Sequence, residues 1–376
     1  MYMLERGRIS CIQTVYMLIN VVGATSIVFL PGITAVAAGR DAWLAPLLAI
    51  APGIYLAFII YSLGKRFPGR TLIEYLQVLL GPWAGKLLGL LYVFFFLHTN
   101  AVIIREFGEL LVSLVLPLTP LAVIHGILLV LCAWAVRGGL EIQARVMEFA
   151  FPFTLFLFMA AVLLVVSEIN PANLLPVLEN GFKPVIRASL DPVGWRGEII
   201  LLAMILPFMS RPDQGGRCAY IAVIAIGILL ALDSLANTAV FGPTVARLTF
   251  PTFSLVRMVS VGDFIERIES VLVAIWVLVI FGKVAIFYYA TVIGIAQLGG
   301  LGDYRPLVLP VGVLLAALSL MVVGSATELL DYIIRGFYPF AYIFEFIIPT
   351  ALLALAAARG IKNCEGGVCG GDGKGR

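Results

Sequence analysis

Residues 11–37 read CIQTVYMLINVVGATSIVFLPGITAVA. The stretch exceeds the roughly 20 apolar residues that a bilayer-spanning helix needs. It is interrupted by Gly23-Ala24-Thr25-Ser26. Gly adds backbone freedom, and Ser and Thr hydroxyls compete for backbone groups, so a mid-membrane run of this kind loosens a helix. A helix that opens there frees N–H and C=O groups, which hydrocarbon tolerates only where they face protein, water or a ligand. A first helix broken near the midplane is one way that secondary transporters build a substrate site. The alternative is close helix packing, because small residues also let helices approach.

The rest of the chain fits a polytopic membrane protein. It is 61% hydrophobic and 12% charged, with a net charge of +3 and a mean hydropathy of +1.06. A soluble domain carries about twice that charged fraction. No basic run points to nucleic acid. Of five cysteines, Cys11, Cys132 and Cys218 lie in or beside apolar segments, and Cys364 and Cys369 lie in a Gly-rich tail. One Cys-x4-Cys is too little for a metal site, and nothing in the spacing indicates a disulfide framework. Ala35-Val36-Ala37 resembles a signal-peptidase site, but the apolar run before it is too long for a signal peptide, so it reads as retained.

Ten apolar segments are expected to span, at about 11–37, 42–63, 84–112, 118–136, 146–166, 194–210, 217–241, 266–292, 306–323 and 333–357. Lys and Arg in the flanks of the spans number fifteen on the N-terminal side and eight on the other, which places both termini in the cytoplasm by the positive-inside rule. Two long loops, about 167–193 and 242–265, lie on the opposite side. The first suits a short surface helix. The second holds Phe250-Pro251-Thr252 and then a charged helix start from Asp263 to Glu269. The sixth segment is short and interrupted by Arg196-Gly197-Glu198 and Pro207. Interrupted segments opening each set of five predict an inverted repeat, with halves of about 11–166 and 194–357 and a site between them. The whole reads as one transmembrane domain, 9–358, with a disordered cytoplasmic tail over 359–376.

Ionisable residues inside the spans are Arg105, Glu106, Glu109, Glu198, Asp233, Lys283 and Glu345. Each costs about 2.5–3.5 kcal/mol at the bilayer centre, so they must face one another, water or a ligand. Arg105 and Glu109, four apart, suit a local ion pair. Glu106 and Lys283 lack local partners, and their differing depths argue against a direct pair; Lys283 can instead meet Glu198 or Glu345. An ion or proton path through Glu106, Glu198, Lys283 and Glu345 competes with buried bridges that only fix helix order. His98, near the middle of its span, can titrate near neutrality or serve as a buried hydrogen-bonding group; His125 is assigned to packing. No nucleotide-binding, metalloprotease or hydrolase motif appears, so neither enzyme nor cofactor is expected.

Several blocks then carry a family likeness: Ile9-Ser10-Cys11-Ile12-Gln13 with Gly23-Ala24, Gly197-Glu198-Ile199-Ile200 through Leu206-Pro207-Phe208, Phe250-Pro251-Thr252, Phe281-Gly282-Lys283, and Asp303-Tyr304-Arg305-Pro306-Leu307. Their order and spacing resemble the membrane-embedded B subunit of bacterial spore germinant receptors, the endospore germination permease family, over nearly the whole chain. That family is similar to the amino acid–polyamine–organocation transporters, with a five-plus-five inverted repeat. The resemblance implies an all-α protein of the spore inner membrane that binds a germinant, typically an amino acid, and works with A-type and C-type subunits. It places the pocket between spans 1, 3, 6 and 8, at Gly23, Ala24, Thr25, Ser26, His98, Thr99, Asn100, Gly197, Glu198 and Lys283. A working ion-coupled amino acid or polyamine transporter is the alternative on the same fold.

Overall fold

The computed structural model describes residues 4–5, 7–258, 268–365 and 368–370. The charged stretch 263–267 lies outside them. Among the described residues, eight helices are long and apolar enough to cross a membrane, and a shorter apolar one covers Arg305–Met321.

Helix α1 (Cys11–Ala38) starts on a capping box: Ser10 Oγ accepts from the Gln13 N–H and Gln13 Oε1 accepts from the Ser10 N–H, which satisfies two donors at the helix start. Short α2 (Leu44–Leu48) leads into α3 (Ile50–Arg66), and α4 (Leu72–Leu80) into the long α5 (Pro82–Leu114). Helices α6 (Leu121–Gly138) and α7 (Leu140–Leu164) complete the first set. α8 (Phe182–Gly197) runs into a tight 3-10 turn, Glu198–Leu201, then one turn of α-helix, α9 (Leu202–Ile205). α10 (Gly215–Phe241), a small cross-helix α11 (Pro251–Arg257), α12 (Ile268–Gly299) and α13 (Val308–Met321) follow. The last rod is segmented into α14 (Ala326–Tyr332), α15 (Tyr338–Tyr342) and α16 (Ile348–Ala358), joined by π-helical turns at Ile333–Phe337 and Ile343–Ile347.

The two prolines of that rod account for its segmentation. Pro339 and Pro349 each lack an N–H and crowd the carbonyl four residues before. The turn upstream of each widens to the π form, a usual way for a helix to absorb such a break.

Both ends of the chain dock on one side of the bundle, here called the terminal side. The Ile9 N–H donates to the Phe208 carbonyl at 3.0 Å and the Ser210 N–H to the Ile9 carbonyl at 2.8 Å. Glu5 accepts from the Leu140 N–H at 3.0 Å, and Arg66 donates to the Ile361 carbonyl at 2.8 Å. α1 and α12 form the centre, and residues 284–287 of α12 are buried on every face. α7 is the most outward-facing of the candidate spans.

Three expectations are corrected. α1 is helical without a break through residues 23–26. The Ser26 hydroxyl bonds back to the Val22 carbonyl at 2.6 Å, which leaves the main-chain ladder intact. A Cβ at Gly23 would come within 3.1 Å of Ile226, so the small residue serves close packing against α10. Cys11 and Cys218, distant in sequence, pair as a disulfide with Cα atoms 5.8 Å apart, joining the terminal-side ends of α1 and α10. The tail, expected to be unstructured from Asn363, pairs β1 (Asn363–Glu365) with β2 (Val368–Gly370) in antiparallel register.

Candidate functional site

Lys283, fully buried on α12, reaches Glu198 Oε1 at 2.8 Å and donates to Thr25 Oγ1 of α1 at 2.7 Å. Glu198 opens the 3-10 turn that ends α8, so the irregular winding of the sixth segment turns this carboxylate inward. Its other oxygen, Oε2, has no hydrogen-bond partner among the described residues. Residues at the end of a helix have unclosed backbone geometry, which is why the Arg196-Gly197-Glu198 interruption could be read from sequence as a site.

Glu345 completes the cluster from the last rod. It is fully buried, and neither of its carboxyl oxygens has a partner among the described residues. The π turn Ile343–Ile347 carries it over Gly197, where a Cβ would collide with its carboxyl group. Glycine at 197 is therefore required by contact. Glu106 of α5 lies within electrostatic reach of both Lys283 and Glu198, and Glu345 within reach of the same two. Three buried carboxyls thus surround one ammonium. If all were ionised the cluster would carry excess negative charge in a low-dielectric setting, an arrangement that favours protons or a further cation.

Beside Glu106 and Glu198 lies a void of about 10 Å³, lined also by Thr99, Trp195, Phe337 and Tyr338. That is room for about one water. The Thr99 hydroxyl and the Tyr338 phenol, both buried, have no partner there among the described residues. Tyr338 packs edge-on against Trp195, with ring centroids 5.4 Å apart. On its other side Tyr338 lines a vestibule of about 880 Å³, open on the face away from the termini. Lys183, Arg187 and Asp191 stand in that vestibule. Asp191 precedes the sixth span; burial pushes its carboxyl up to about 6, against the lowering influence of Arg187.

The other sequence candidates divide. Thr25, Thr99, Glu106, Glu198, Gly197, Lys283 and Glu345 come together. Asn100 sits beside the site, donating to the Val284 carbonyl at 3.2 Å, with its own carbonyl oxygen unpartnered among the described residues. His98 does not line the void; it bonds the Tyr332 hydroxyl at 2.6 Å within a nest of Phe rings. Gly23 and Ala24 line a separate apolar crevice of about 130 Å³ between α1, α7, α10 and α12. Ser26 is spent on its own helix. Arg105 pairs with Glu109 at 2.6 Å, as its spacing requires, and His125 bonds Ser319 at 2.9 Å. Sequence reasoning missed Trp195, Phe337 and Tyr338. The signal available for the last two was the pair Pro339 and Pro349, which marks where the final rod must deform.

The fold is similar to that of a solved transporter. It matches the structure of Mhp1, a nucleobase-cation-symport-1 family transporter solved in a closed conformation with bromovinylhydantoin bound, with a TM-score of 0.59 over 94% of this chain and 81% of that one, at 13% identity. By sequence, the profile described as "Spore germination protein" covers residues 8–326, and the chain belongs to this spore permease family. It is similar to spore germination protein KB of Bacillus subtilis (strain 168), 31% identical over 333 residues, 87% of this chain and 88% of that protein. It is also 29% identical to the putative spore germination protein YfkT of the same organism, over 78% of this chain and 81% of that one.

Proposed function

We propose that the chain is the sensing subunit of a spore germinant receptor, and that its ligand is a small zwitterion such as an amino acid. The observation that carries this is the buried Lys283–Glu198 pair beneath Tyr338. Its two charges are the mirror of an amino acid's: the ligand carboxylate replaces Glu198 on Lys283, and the ligand ammonium is taken up by the freed Glu198 together with Glu106 or Glu345. The void is too small for any such ligand, so binding requires Tyr338 and its rod to move. A ligand that binds the open form better shifts the protein towards it, and A-type and C-type subunits in the spore inner membrane read the shift. Ten spans in a five-plus-five repeat, with both termini cytoplasmic, are the membrane arrangement of this reading.

A thermal-shift panel of amino acids on the purified chain tests it. A true ligand at a hundredfold excess over its Kd stabilises by about 2.7 kcal/mol, and Lys283→Met and Glu198→Gln abolish that shift. Stabilisation that survives in both variants would move the ligand elsewhere. The second reading, an ion-coupled amino acid or polyamine transporter, draws on the excess of buried carboxyls over lysine at the site. Coupled uptake of labelled amino acid by proteoliposomes holding this chain alone would favour it over sensing; uptake at the level of empty vesicles would leave the sensor.

A further inference from the structure

Away from the ion-pair cluster, a second buried carboxyl sits where α10, α1 and α11 meet. Asp233 is 1% exposed. Its carboxyl oxygens lie 3.0 and 3.1 Å from Thr252 Oγ1 of α11, and Oδ1 accepts from Asn237 Nδ2 at 3.1 Å. The same Thr252 hydroxyl lies 2.7 Å from the carbonyl oxygen of Ile27 on α1.

One hydroxyl proton faces three acceptor oxygens, the Ile27 carbonyl at 2.7 Å and the two Asp233 oxygens at 3.0 and 3.1 Å. In an α-helix the Ile27 carbonyl is served by the N–H of residue 31. Residue 31 is proline and has none. Thr252 is the donor that replaces it, and a hydroxyl has one proton to give. With that proton on the Ile27 carbonyl, Thr252 Oγ1 can only accept from Asp233. A carboxylate accepts only, and would leave two oxygens facing each other at about 3 Å with nothing between them. A protonated carboxyl fills the gap: Asp233 O–H donates to Thr252 Oγ1, whose O–H donates to Ile27.

We propose that Asp233 is a proton-binding site, occupied in this conformation, and that its proton completes a relay holding α11 against the Pro31 turn of α1. Loss of the proton removes one donor from three acceptors and releases α11. Among the described residues, the elements around it supply no competing charge within the relay. α1 has only Tyr16 as an ionisable side chain, at its terminal-side end, since Cys11 is held in the disulfide. Arg257 of α11 is exposed at the opposite end of that helix from Thr252. Glu141, Arg145 and Glu148 of α7 stand at its terminal-side end. Glu168, Arg247 and, on α10 itself, Arg217 and Tyr220 lie near the element ends. On α12, Lys283 is held by Glu198 and Thr25. The apolar crevice along α1 reaches Asp233 and Thr252, so the site borders a cavity and is not sealed in solid packing.

Infrared difference spectroscopy of the full chain in lipid nanodiscs reads the proton directly. Wild type minus Asp233→Asn at pH 7 is expected to contain the C=O stretch of a protonated carboxylic acid. Symmetric and antisymmetric carboxylate stretches in its place would overturn the proposal. Thr252→Val, which keeps Asp233 but removes its acceptor, is expected to move the acid band to higher wavenumber. A spectrum identical to wild type would also overturn it, whether or not the Asp233→Asn protein can be made. Neither measurement depends on what the ion-pair site binds.

Discussion

Lys283 shows how far one side chain can be read from sequence. An unpartnered lysine in an apolar run had to find an acid, and Glu198 was one of two named for it; the second, Glu345, sits within electrostatic reach of the same ammonium. The depth of each residue along its helix was legible, but the rotation of each helix was not, and rotation decides the pairing. Removing one partner of a buried pair leaves an uncompensated charge, at a cost of about 3–5 kcal/mol. Lys283→Met and Glu198→Leu should each lower the unfolding midpoint of the purified protein, and the double variant should recover most of the loss. Midpoints that add across the two changes would mean the pair is not coupled. At Gly197, an added methyl group meets the Glu345 carboxyl. Gly197→Ala should therefore destabilise by about 1–3 kcal/mol, and Glu345→Ala in the same chain should relieve it, measured by yield and midpoint together.

At the scale of elements, proline proved a better guide than glycine and serine. The run Gly23-Ala24-Thr25-Ser26 predicts an opening that α1 does not have, because its hydroxyls bond within the helix or to Lys283. The main chain is instead left short of a donor at the next residue, Ile27, by Pro31 one turn on, and it is met from outside by Thr252. The sixth segment, where sequence predicted a second break, does wind irregularly at Glu198–Leu201. A double-mutant cycle separates these effects. Thr252→Val should cost about 1–3 kcal/mol, the penalty for an unsatisfied buried polar group. In a Pro31→Ala background the helix supplies its own N–H, and the cost should fall to less than half. Equal losses in both backgrounds would mean that Thr252 does not serve the Ile27 carbonyl. The π turns of the last rod were not legible as such, since no residue-type pattern names a π turn; only the proline positions constrain them.

Across the whole molecule, a terminal side closed by Glu5, Ile9 and Ile361 contrasts with a hollow opposite face. Charge at that face responds to mild acidity. The Asp191 carboxyl is held up at about 6 by burial, above the value of about 3.9 for an unfolded chain. A group with a higher pKa folded than unfolded lends stability when protonated. Its contribution is complete below about pH 3.9 and is lost as pH rises through about 6. Unfolding midpoints should thus decline across that window and level off above it. Asp191→Asn should flatten this slope, and an unchanged slope would show that other groups set it.

Tyr338 and Glu345 share one rod, the first between two π turns and the second on the later of them. A tilt of that rod as one piece would lift Tyr338 off the void and the Glu345 carboxyl off Gly197 together, so the doorway would open while rewriting the charge pattern that greets whatever comes through.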